Sequence, residues 1–105
     1  MFRATPFDCG QGLCLHGELD VTTVDDLALM LEPFAGVTGD FTLDLADLTF
    51  MDVSGLRAFE QFAGGRAGGL VLEHVSENIR RVFAITGVDR NPAIHLRNDR
   101  AAAHG

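Results

Sequence analysis

The stretch Asp40 to Leu56, DFTLDLADLTFMDVSGL, limits the fold more than any other part of the chain. It begins with strict alternation: Phe41, Leu43 and Leu45 on one side, Thr42, Asp44 and Ala46 on the other. A period of two is the signature of a strand with one face buried. Asp52, Val53, Ser54 and Gly55 follow, and then Leu56, Phe59 and Phe62/Ala63 recur at helical spacing. A strand therefore runs through a short connection into a helix spanning Gly55 to Ala63, with a serine at the junction. Helix N-termini carry unpaired backbone N–H groups and the positive end of the helix dipole. A hydroxyl at such a place can cap the helix or carry an anionic group.

The flanking segments supply the remaining elements. Phe2 to Phe7 reads as a first strand, with Pro6 favouring a sheet edge. Gly10-Gln11-Gly12 reads as a hairpin turn into a second strand, Leu13 to Gly17, which Glu18-Leu19-Asp20 closes. Thr22 or Thr23 can cap a first helix with Asp25 and Asp26 in its first turn. Its apolar stripe is Val24, Leu27, Ala28, Leu31 and Ala35, and Pro33 ends or kinks it near Glu32. Leu29 and Met30 lie off that stripe, as a cover for its edge or as a contact surface. Leu70 to Val75 is a fourth strand. Ser76 caps a third helix with a stripe of Ile79, Val82, Phe83 and Thr86, and Gly87 stops it. Ala93 to Leu96 is a fifth strand, and the tail from Arg97, flexible over 99–105, is polar and then Ala-rich.

A hairpin followed by three strand–helix–strand crossovers gives an α/β fold. Such crossovers are right-handed in nearly all proteins, so a sheet that grows in one direction takes all three helices on one face. The expectation is two layers: a mixed, mostly parallel sheet of about five strands, with helices on one face. The alternation in Phe41–Leu45 agrees, since a sheet covered on both faces reads as continuous apolar runs.

Function classes are narrowed mainly by what is missing. The chain has 105 residues, which fits one domain. Eight arginines among fifteen acids, for a net charge of −7, make no basic face for nucleic acid. Lysine is absent altogether, which excludes a Walker A loop, a Schiff-base lysine and a receiver-type lysine. No apolar run is long enough for a membrane span, and the N-terminus reads as no signal peptide. Cys9 and Cys14 flank the Gly10–Gly12 turn and read as reduced thiols, which favours a cytoplasmic setting. Gly64 to Gly69 lies after a helix and before a strand, the wrong order for a phosphate loop, so it reads as a helix stop and turn. His16, His74 and His95 sit on separate strands without zinc spacing. Asp20, Asp44, Asp47 and Asp52 read as solvated loop acids, with Asp52 also able to cap the helix or orient Ser54. No metal or other cofactor is expected. Ser54 has no Gly-x-Ser-x-Gly elbow, so no catalytic residues are expected and the chain reads as a protein acted upon, not an enzyme.

Three segments together resemble the STAS domain, in particular the small single-domain anti-sigma-factor antagonists of bacteria. Gly17-Glu18-Leu19-Asp20 resembles the family motif at the end of the second strand. Leu43-Asp44-Leu45 through Phe50-Met51-Asp52-Val53-Ser54-Gly55-Leu56 resembles its most specific motif. Ser76-Glu77-Asn78-Ile79-Arg80-Arg81-Val82-Phe83, followed by Thr86-Gly87-Val88, resembles its third-helix signature. The resemblance implies a partner switch. The antagonist binds an anti-sigma factor that is also a GHKL-type serine kinase, and thereby frees a sigma factor. Phosphorylation of a serine ends the interaction, and a phosphatase restores it. Here the acceptor position is Ser54, and the implied partner surface is Asp20, Asp52, Val53, Ser54, Gly55 and Arg57. Val53 stands where many relatives have a second serine. The segment from Leu56 to Gly68-Gly69 is about one helical turn shorter than in typical members, and the final helix is stunted or missing, which leaves room for a homodimer. Two other functions stay open at this point: an unphosphorylated STAS scaffold in a larger signalling or transport assembly, and a nucleotide-binding sensor.

Overall fold

The computed structural model describes residues 1–97. The expectations for a flexible tail at 99–105 and for a stunted final helix lie outside the described residues. Within them, the strands are β1 (Phe2–Pro6), β2 (Gly12–Leu19), β3 (Phe41–Met51), β4 (Leu70–Glu73) and β5 (Ile94–Arg97). The helices are α1 (Val24–Leu31), α2 (Val53–Gly64) and α3 (Glu77–Thr86). Short 3-10 turns follow α1 at Glu32–Phe34 and α3 at Val88–Arg90.

The strands lie side by side in chain order. β1 pairs antiparallel with β2, and every later pairing is parallel. Three crossovers stepping in one direction place the helices on one face, as the sequence predicts. The core lies between the layers. Leu13, Leu15, Leu43, Leu45, Leu70 and Leu72 from the sheet meet Leu27, Leu31, Leu56, Phe59, Ile79 and Phe83 from the helices, all buried. Phe41, Phe59 and Phe83 are fully enclosed, and burying each aromatic ring contributes roughly 1.5–3 kcal/mol.

Several boundaries differ from the sequence reading, each for a local reason. β2 runs past Gly17 to Leu19, and β3 runs past Leu45 to Met51. Along β3 the buried residues are Phe41, Leu43 and Leu45, then Leu48 and Met51, so the spacing opens from two to three. The pairing with β2 slips at the same places, between Cys14 and His16 and between Gly17 and Glu18. Each slip inserts an extra β3 residue and turns the next apolar side chain back toward the core. β4 stops at Glu73, because His74 takes a left-handed backbone with φ 57 and leaves the ladder, so it is not a strand residue. α2 starts at Val53 rather than Gly55. Ala28 and Ala35 of the first stripe and Thr86 of the third are exposed, and Val82 is half-buried. The Thr86 hydroxyl instead donates to the carbonyls of Val82 and Phe83. The last turn of α3 ends at Gly87, whose φ of 81 suits a residue without a Cβ.

At the end of the sheet where β3 and β4 begin, Arg66 acts as a clasp. Its guanidinium donates to the Gly69 carbonyl at 2.7 Å and to the Val37 and Gly39 carbonyls at 2.7 and 2.8 Å. It also stacks near the Phe41 and Phe62 rings, 5.8 and 5.5 Å from their centres. The glycine-rich segment is therefore a turn, held to the α1–β3 connection by one arginine.

Candidate functional site

The opposite rim carries the residues singled out by the sequence. Leu19 and Met51 are paired at the ends of the parallel strands β2 and β3, and Asp52 donates its N–H to the Leu19 carbonyl at 3.2 Å. Asp20 and Asp52 are thus the first residues beyond two neighbouring strand ends. The chain must leave a parallel sheet at this edge, so the two acids emerge side by side as a consequence of topology.

Each acid is committed to a local turn. The Asp20 carboxylate accepts from the Thr22 hydroxyl at 2.6 Å and the Thr22 N–H at 2.9 Å. These two bonds, with further ones from Thr23, hold its carboxyl below the usual carboxylate range, since they stabilise the ionised form. Thr23 occupies the N-cap position of α1, but its hydroxyl makes no cap bond there. It donates instead to the Glu18 carbonyl at 2.9 Å. Asp52 is the N-cap of α2, and its Oδ1 accepts from the Ser54 N–H at 2.8 Å.

That assignment corrects the simplest reading of Ser54. The cap of α2 is Asp52, and Ser54 sits two residues further on, inside the first turn. Among the described residues the Ser54 hydroxyl has no hydrogen-bond partner, and the residue is only half-buried. Ser76, by contrast, is a cap: its hydroxyl accepts from the Ile79 N–H at 3.3 Å.

The other residues of the expected surface are placed by the same turn. Val53 is 45% exposed. Gly55 is buried, and a Cβ there would lie 2.7 and 2.8 Å from Leu19 and 2.8 Å from Met51. Glycine at this position lets the first turn of α2 sit directly on the strand ends. Arg57 is exposed and lies three residues after Ser54, on the neighbouring face of the helix. Two apolar residues missed by the sequence reading join them: Val21 is 70% and Phe50 49% exposed, next to Asp20 and Met51. Phe50 could have been found, because an aromatic residue on the outward side of a strand end has no core to fill.

Asp44 and Asp47 do not belong to this rim, and they are not loop acids. Both lie within β3, Asp44 half-buried. Asp47 meets His16 at 3.3 Å, and Asp44 meets His74 at 2.8 Å. Burial, with Asp44 and Asp47 nearby, pushes the Cys14 thiol up, so it stays protonated. Among the described residues, Asp44, Glu73 and His74 form a group able to hold a metal ion, their ligand atoms all within 4.8 Å of one another. Among the same residues, no helix is long and apolar enough to cross a membrane.

Comparison with known proteins adds the family. A family model described as the STAS domain matches residues 13–103. The anti-sigma-B factor antagonist of Bacillus subtilis (strain 168) is 36% identical over 77 residues, which are 70% of this chain and 71% of that protein. Among solved structures, an anti-sigma factor antagonist from Mycobacterium paratuberculosis aligns with a TM-score of 0.76 at 18% identity, covering 99% of this chain and 93% of that one. The Bacillus cell fate determinant SpoIIAA in its phosphorylated form aligns with a TM-score of 0.63 at 22% identity, covering 99% and 97%. At these identities the two structures establish likeness of fold.

Proposed function

The chain belongs to the STAS domain family, and on that premise we propose that it is an anti-sigma-factor antagonist switched by phosphorylation at Ser54. In this reading it is a cytoplasmic binding module, not an enzyme. The unmodified rim binds a GHKL-type anti-sigma factor that is also a serine kinase, and a phosphatase later removes the phosphate.

One observation carries the reading: Asp52 takes the cap of α2 and leaves the Ser54 hydroxyl, at a helix N-terminus, without a partner among the described residues. A hydroxyl so placed can be modified without removing a bond that holds the fold. A phosphate there gains from the helix dipole and the free N–H groups of the first turn. It also adds about −1.5 to −2 charge to a rim that already carries Asp20 and Asp52. Beside it stand exposed Val21, Phe50 and Val53, whose apolar contact with a partner would be spoiled by a hydrated dianion. The switch therefore acts on the surface a partner meets and not on the fold. A contact losing about 3 kcal/mol weakens roughly 150-fold.

A binding titration with the kinase-type anti-sigma factor, using unmodified and Ser54-phosphorylated protein, tests this. Tight binding by the first and a loss of about two orders of magnitude by the second is the expected pair of results. Equal binding by both forms overturns the switch and leaves a constitutive scaffold.

A further inference from the structure

The face of the sheet away from the helices carries a row of side chains that plays no part in the proposed switch. In register across the strands, Thr5 pairs with Cys14, Cys14 with Asp44, Asp44 with Glu73, and Glu73 with Arg97. Asp44 and Glu73 are therefore like charges directly opposite each other on neighbouring strands, an arrangement that destabilises a sheet unless cations answer it. Two basic side chains lie against them. Arg97 pairs with Glu73, and the His74 Nδ1 lies 2.8 Å from Asp44 Oδ1.

The two are unequal. Arginine has no lone pair to offer a metal ion, whereas a histidine ring nitrogen is a common metal ligand. The imidazole beside Asp44 brings a nitrogen ligand to the two facing carboxylates of Asp44 and Glu73. His74 is held there by the chain itself: its left-handed backbone ends β4 and leaves the ring beside β3. Asp44 is fixed as well, Oδ1 accepting from the Ala46 N–H at 3.0 Å and Oδ2 facing the Cys14 thiol at 3.9 Å.

We propose that Asp44, Glu73 and His74 form a binding site for a divalent transition-metal ion of the zinc class. The ligand atoms lie within 4.8 Å of one another, and ligation at about 2.0–2.2 Å would draw them in by roughly an ångström through side-chain rotation. One imidazole with two carboxylates suits zinc and its first-row neighbours, while calcium and magnesium favour all-oxygen shells. Three protein ligands leave a coordination position for water. Arg97 is the built-in competitor, because it holds the Glu73 carboxylate that the ion must share.

The competition makes the site testable with the full chain and zinc alone, by calorimetry at near-neutral pH. One zinc per chain is expected to bind at this site. Asp44→Asn and His74→Asn should each weaken it at least about tenfold, since even outer partners of metal ligands are worth 10–100-fold. Asparagine at 74 also tolerates the left-handed backbone. Arg97→Gln should tighten it by releasing Glu73. Excess calcium should not displace the zinc. Far-UV circular dichroism of each variant checks that it is folded. Absence of zinc binding, full-strength binding by folded His74→Asn, or displacement by calcium at equal concentration would each overturn the site.

Discussion

The chain has two serines, and both lie at the start of a helix, yet their hydroxyls are used differently. Ser76 precedes α3 and caps it, accepting from the Ile79 N–H. Ser54 lies inside α2, where Asp52 has already taken the cap. Moving the cap two residues upstream changes the meaning of the serine. One hydroxyl caps a helix, and the other bonds to nothing among the described residues. The comparison also separates two roles of a helix N-terminus, as something to be closed by the chain and as something to be offered to an anion.

The contrast can be broken most severely from below. Phe59 is fully buried one turn past Leu56 and seats α2 on the sheet. Phe59→Ala should cost about 3–5 kcal/mol, enough to unfold much of a small domain. A denaturation midpoint unchanged by the substitution would show that α2 does not depend on this seat. Gly55→Val acts closer to the serine. Its side chain meets Leu19 and Met51 at less than 3 Å, and overpacking of this kind costs about 1–3 kcal/mol. The first turn must lift off the strand ends, so partner binding should fall more than stability does. Binding and chemical unfolding measured on one preparation decide the point.

The serines themselves give smaller effects. Ser76→Ala should cost about 1 kcal/mol, the usual worth of a cap. Ser54→Ala should stay within about 0.5 kcal/mol of the parent, as surface changes do. Equal losses in urea unfolding would erase the distinction between them.

The smallest effect concerns Asp20. Its folded pKa is held down by Thr22, so its contribution to stability is present above the ordinary value of 3.8 and is lost as pH falls through the lowered one. Asp20→Asn should remove that part of the acid dependence. An NMR titration of the Asp20 carboxyl at or above its ordinary value would contradict it.

Much of this rim was legible in the sequence, because its information is local. Alternation from Phe41 to Leu45 followed by helical spacing from Leu56 is enough to place a strand, a junction and a helix. The cap was ambiguous between Asp52 and Ser54, since both types cap well and only backbone conformation decides. The end of β3 was hidden by its two extra residues, which break the alternation just where Leu48 and Met51 turn inward. The row on the open face could not be read at all. Cys14 and Asp44 are 30 residues apart, as are Asp44 and His74, and only the strand register brings them together.

The central claim is that Ser54 is the acceptor because its hydroxyl makes no hydrogen bond among the described residues. It is tested most directly by incubating the protein with the kinase-type anti-sigma factor and ATP, then mapping the phosphate by mass spectrometry. The account predicts one phosphate on Ser54, none on Ser76, no modification of Ser54→Ala, and normal modification of Ser76→Ala. Phosphate on Ser76, or on Ser54→Ala at another position with the same loss of partner binding, would contradict it.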